Sequence, residues 1–134
     1  MTTRSQSTRF LNQSPFGWSD VVEVTGGRLV FITGQMALDA KGELVGSGDL
    51  PAQMEQVFKN IETALEAVGA DFSHVVKLTV LSVEDFTSHM YAYGEIRDRF
   101  VNKENPPASA VILAPKLVRE GALVDIAAIA HRPE

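Results

Sequence analysis

The chain contains no cysteine. That absence excludes a disulfide framework, a thiolate zinc site and a cysteine nucleophile together. Long apolar runs are missing too. None approaches the ~20 residues that span a bilayer, and residues 1–13 are polar, without an apolar signal segment. Basic residues are the minority, 12 Lys and Arg against 17 Asp and Glu, and they form no block. A net charge of −5 makes nucleic acid a poor partner, because neutralising phosphates needs a concentrated cationic face. These shortages predict a cytoplasmic or similarly reducing setting, with no nucleic acid and no membrane as partners.

What the chain does have is ordinary globular material, 45% hydrophobic and 22% charged. Its 134 residues amount to about 0.9 of a typical domain, so residues 1–134 read as one domain. Residues 1–15, rich in Ser, Thr, Arg and Asn, read as a loose N-terminal arm.

Residues 21–24 and 28–33 are short β-branched stretches around Gly26-Gly27, a pair able to take positive φ at both centres of a tight turn. The pattern predicts a hairpin. Asp39-Ala40-Lys41-Gly42 reads as a further turn. The clearest element is a helix over 51–68, with Asp49 as cap, Pro51 in its first turn and Gly69 as its stop. Met54, Val57, Phe58, Ile61, Leu65 and Val68 form its apolar stripe. A strand over 75–83, a second helix over 84–101 and two strands over 108–113 and 123–130 complete the order. Asn105-Pro106-Pro107 breaks the second helix. Strand runs separated by helices predict an α+β fold, a mixed sheet with both helices on one face. Residues 123–130 contain Asp125 as their only charged side chain, so both faces of that strand are nearly apolar. Two helices cover one face only, which predicts an oligomer.

Several chemistries find no support. His74, His89 and His131 are far apart and lack metal-ligand spacing, so no metal site is expected. Neither Gly26-Gly27 nor Gly46-Ser47-Gly48 leads into a phosphate-binding Lys-Ser or Lys-Thr. A relay of Ser109, His131 and Asp125 can be written down, but no spacing supports it.

Thr33-Gly34-Gln35, Pro106-Pro107-Ala108 and the strand Val124-Asp125-Ile126-Ala127-Ala128-Ile129-Ala130 carry a resemblance. Through them, and through its element order, the chain resembles the reactive intermediate deaminase family (RidA/YjgF, also called the L-PSP endoribonuclease family) over about residues 16–132. The resemblance implies a chorismate-mutase-like fold and a homotrimer that binds a small molecule in clefts between subunits. It also implies cofactor-independent hydrolysis of amino-acid-derived enamines and imines to keto acids and ammonia.

At the positions that matter the chain departs from its relatives. The family's Pro-Ala is followed by an arginine that forks onto the substrate carboxylate; here the residue is Ser109. The family's last strand carries a second, water-positioning glutamate; here Ala127 takes its place. Trp18 stands where a cleft tyrosine is usual, and it suits either a cleft cap or interface packing. Gly34, whose backbone would line the cleft floor, is retained. The family's cleft asparagine maps to either Met90 or Gly94. Asp125 is the nearest remaining carboxylate, about 6.5–7 Å along the strand from Ala127 on the same face. It is either catalytic or an interface carboxylate paired with Arg119 or Lys116. Among the arginines, Arg119, in the loop between the last two strands, is the leading candidate to bring a guanidinium back; Arg28, Arg97, Arg99 and Arg132 are the others.

A serine offers a carboxylate one neutral hydrogen bond where arginine offers two charge-assisted ones. Activity on 2-aminoacrylate is therefore expected to be weak or absent, with the cleft suited to a neutral ligand. Two functions stay open: a divergent hydrolase with an altered substrate, and a trimeric ligand-binding module that has lost the chemistry.

Overall fold

The computed structural model describes residues 7–133, apart from the side chains of Glu84 and Asp85. Six strands and two α-helices follow in the order β1 Thr8–Gln13, β2 Ser19–Val24, β3 Arg28–Gln35, α1 Leu50–Glu66, β4 Val75–Val83, α2 Met90–Asp98, β5 Ala108–Ala114 and β6 Val124–Arg132. The fold is α+β. A four-stranded mixed sheet has the order β3-β6-β4-β5, with β4 and β5 parallel and the other pairs antiparallel. A two-stranded sheet, β1-β2, lies beside it, tied to the start of β5 by Ser19 N donating to Pro107 O (3.1 Å) and Ser19 Oγ to Pro106 O (2.6 Å).

The expected hairpin does not form. Gly26 and Gly27 do adopt positive φ (63° and 67°), but they send the chain from one sheet into another. β2 pairs with β1, and β3 pairs with β6. Residues 8–13 are likewise strand rather than loose arm. Their polar side chains are half out in solvent, where a paired strand tolerates them. His131 anchors the edge from beneath: Nδ1 meets Thr8 Oγ1 at 2.6 Å, and Nε2 meets Gly26 O at 2.8 Å. Residues 1–6 of the expected arm lie outside the described residues.

Helix α1 follows its sequence signals. Asp49 accepts from Ala52 N at 3.0 Å, Pro51 sits in the first turn, and Gly69 takes φ +70° just beyond the end. Its stripe of Met54, Val57, Phe58, Ile61 and Leu65 is buried against Val124, Ile126, Ala128 and Ala130 of β6 and the aromatic rings of Phe72, Tyr93 and Phe100. The second helix is shorter than expected, because residues Glu84–His89 wind as a 3-10 turn before α2 starts.

Two side-chain amides on α1 position loops. Gln53, with no exposure, donates to Gly46 O (3.1 Å) and Gly121 O (3.0 Å) and accepts from Leu123 N (2.8 Å). It thereby fixes the end of the β5–β6 loop. Asn60 donates to Met36 O (3.0 Å) and Leu38 O (2.9 Å), holding the chain just after Gly34. Among the described residues no helix is long and apolar enough to cross a membrane.

Candidate functional site

Strand register divides the candidate residues between two faces. Ser109 pairs with Leu78, which pairs with Ala128, a residue buried beneath the helices. Ser109 therefore points to the helix side. One step along, Ala110, Thr79 and Ala127 align, and Asp125 lies two residues from Ala127 on that same outer face.

On the helix side, where β5 meets α2, opens a cavity of about 770 Å³. Ser109 and Val111 of β5, Phe16 and Trp18 of the β1–β2 connection, and Tyr93 and Arg97 of α2 all line it. Met90 and Gly94, the two candidate positions on the second helix, both belong to the same wall. The Phe16 and Trp18 rings stand 5.8 Å apart at its mouth, and Trp18 keeps 37% of its surface exposed. The Trp18 indole donates to Asp20 Oδ1 at 3.2 Å. An apolar phenyl beside an indole with a polar tip suits a surface that takes up a ligand.

Arg97 is the guanidinium the sequence left unranked. Its side chain is only 13% exposed, with Nε donating to Asp98 Oδ1 at 3.0 Å and Cζ 5.6 Å from the Tyr93 ring centroid. Gly17 makes room for it. Its φ is +102°, and a Cβ there would stand 2.7 Å from Arg97 Cζ. A signal was available in the sequence: Arg97 lies three residues after Gly94 and four after Tyr93, hence on the same helix face. Arg119, the favoured arginine, instead lies on an exposed turn, accepts at its carbonyl from Ala122 N (3.0 Å), and is not among the residues lining the cavity. Tyr93 Oη is buried without a hydrogen bond among the described residues. Burial pushes its phenol up to about 12, against the pull of the Arg97 charge and of the Ser109 side chain.

On the opposite face, Gly34 and Asp125 are in close contact. β3 bulges between Ile32 and Gln35, and a Cβ on Gly34 would lie 2.9 Å from Asp125 Cγ. Only glycine permits that approach. Asp125 makes no ion pair with Arg119 or Lys116 among the described residues, and burial raises its carboxyl above the usual range. Ala127 contributes no polar atom. Gly34 also borders a separate hollow of about 500 Å³ beside Met36 and Asn60.

The structure thus joins Trp18 and Ser109 on one face and Gly34, Asp125 and Ala127 on the other. It does not join the two groups within the chain. The written-down relay fails as well: His131 is held between Thr8 and Gly26, while Ser109 and Asp125 point to opposite faces. Among the described residues no group of His, Asp and Glu is arranged to hold a metal ion.

The "Endoribonuclease L-PSP" family model matches residues 11–132. Protein DfrA of Myxococcus xanthus is 37% identical over 115 residues, covering 84% of this chain and 83% of its own. Human 2-iminobutanoate/2-iminopropanoate deaminase is 36% identical over 106 residues, covering 77% and 72%. Among solved structures, the YyfB protein of the conserved Rid family from Yersinia pestis, of unknown function, superposes with a TM-score of 0.82 at 32% identity, covering 94% of this chain and 99% of that one. RidA from an Antarctic Psychrobacter gives 0.70 at 32% identity, covering 81% and 85%. With this fold, and with a family match from β1 to the end of β6, the chain belongs to the RidA/YjgF (Endoribonuclease L-PSP) family.

Proposed function

We propose that this RidA-family protein is a cofactor-independent hydrolase of small imines or enamines, working on a substrate other than 2-aminoacrylate. It acts as a homotrimer with one cleft at each subunit boundary. The observation that carries this reading is the division of candidate residues between opposite faces of one sheet. The aromatic cavity of Trp18 and Ser109 has no β6 residue in its wall, and the smaller hollow beside Gly34 does not have Asp125 in its lining. Each supplies what the other lacks, so they complement one another only if different subunits bring them together. Among relatives, the name of the human protein, an imine deaminase, supports the reaction class.

The chemistry asks little of the protein. An enamine tautomerises to its imine; water then adds its oxygen to the imine carbon while its proton passes to a base. That proton goes on to the nitrogen to complete the carbinolamine; as the C–N bond breaks the hydroxyl proton follows it, and ammonia leaves behind a ketone. Asp125 is the carboxylate assigned to that proton, taking it from water and returning it to the departing nitrogen. Burial lifts its carboxyl above the usual carboxylate range, the direction that suits a group taking up and returning a proton. Ala127, which offers no such group, favours the second reading, a binding module without turnover.

The assay is imine decay with ammonia release. 2-Imino acids with varied side chains are generated in situ by an amino-acid oxidase. Wild type is expected to accelerate decay of at least one of them by about tenfold or more, and Asp125→Asn to remove most of that gain. Absence of acceleration across the panel, with ligand binding retained, would establish the binding module instead.

A further inference from the structure

Among the described residues Arg97 is the one guanidinium in the wall of the large cavity, and its surroundings fix it in place. Nε is engaged by Asp98, the plane lies over Tyr93, and Gly17 leaves it room by having no side chain. Neither Nη group has a hydrogen-bond partner among the described residues. With Nε occupied, these two nitrogens form the free end of the fork, and two parallel N–H donors match the two oxygens of a carboxylate.

The cavity's other charges narrow the class of anion. Glu95 and Asp98 also line it, and only Asp98 is engaged with the arginine. One guanidinium beside two carboxylates suits a monoanion; a phosphate dianion meets more repulsion. The remaining wall is apolar. Phe16, Trp18, Met90 and Val111 all keep substantial exposed surface around the opening, which a two- or three-carbon substrate would leave uncovered.

We propose that Arg97 binds the ligand carboxylate, and that the cavity selects a 2-imino or 2-oxo acid with a branched or aromatic side chain packed against Phe16, Trp18 and Val111. This replaces the neutral-ligand expectation that Ser109 alone suggested, since the fork comes from α2 rather than β5. It rests on the cavity being the ligand-binding part of the cleft, as assigned under the proposed function.

Trp18 is the chain's only tryptophan, so intrinsic fluorescence reports directly on the cavity. The probes are 4-methyl-2-oxopentanoate, its methyl ester and 2-oxobutanoate, titrated into the full-length protein. Wild type is expected to bind the branched acid about tenfold or more tighter than either the ester or the short acid. Arg97→Gln is expected to lose about tenfold for the branched acid while leaving the ester within about twofold, with Arg97→Lys between. Gly17→Ala, which drives the guanidinium aside without removing it, is expected to weaken the acid in the same way. Should Arg97→Gln fail to fold by circular dichroism, the lysine and Gly17 variants decide. Three results would overturn the proposal: equal affinity of wild type for acid and ester, no binding of any probe, or unchanged acid affinity in the variants. Because the readout is binding, loss of imine turnover with this pattern intact would remove the hydrolase reading and leave the Arg97 site standing.

Discussion

Asp125 lies on the face of β6 away from the helices, against Gly34 and without a cationic partner among the described residues. Its carboxyl therefore holds a proton to higher pH in the folded protein than in the unfolded chain. Between the two values the folded state binds more protons, so stability falls as pH rises through that window. Asp125→Asn is expected to gain more stability relative to wild type at pH 7 than at pH 3.5, read as urea midpoints, while losing imine turnover. A group kept for structural pairing would give the reverse. Trp18, Ser109, Gly34 and Asp125 were legible in the sequence as site candidates, because the family pattern marks their positions. Arg97 was named in the sequence as one of five candidate arginines, behind Arg119. What singles it out is the glycine at position 17, eighty residues earlier in sequence, that makes room for it. Periodicity along α2 carries no sign of that contact.

Among the elements, α1 could be read almost to its ends, since a cap, a proline and a regular stripe all agree locally. β4 coincides with its expected bounds for a similar reason: β-branched residues at five of the nine positions of a central strand. β1 was missed because its sequence is polar and its stability comes from elsewhere, through pairing with β2 and the Thr8–His131 bond. The Gly26-Gly27 turn was read correctly as a turn and wrongly as a hairpin, for turn chemistry specifies a reversal and not which strands pair afterward. Thr8→Val keeps the side-chain shape and removes the hydroxyl that meets buried His131. It is expected to cost about 1–2 kcal/mol. Amide exchange should show the loss concentrated in Thr8–Gln13, leaving α1 and β4 protected.

At the scale of the whole molecule, the outer face of the sheet remains apolar and uncovered. Phe31 is 71% exposed and Ile112 50%, with Ile129, Ala127 and Leu81 among them. Patches of this kind mark association sites. Three chains of 14.6 kDa are expected by sedimentation, and Phe31→Glu, which puts a charge into that patch, is expected to shift the mass toward a single chain at micromolar concentration. An unchanged trimer would place the contact elsewhere.

The central claim is that one subunit's Arg97 cavity works with another subunit's Asp125. Subunit mixing tests it directly. Arg97→Gln and Asp125→Asn are each expected to have low kcat/KM on a branched 2-imino acid, the first through binding and the second through chemistry. Unfolded together in urea at equal amounts and refolded, they assemble at random. About one boundary in four then pairs an intact Arg97 with an intact Asp125, so kcat/KM is expected to recover to about a quarter of wild type. A mixture no more active than the mean of its two parents would contradict the claim, because a site contained within one subunit cannot be repaired by its neighbour.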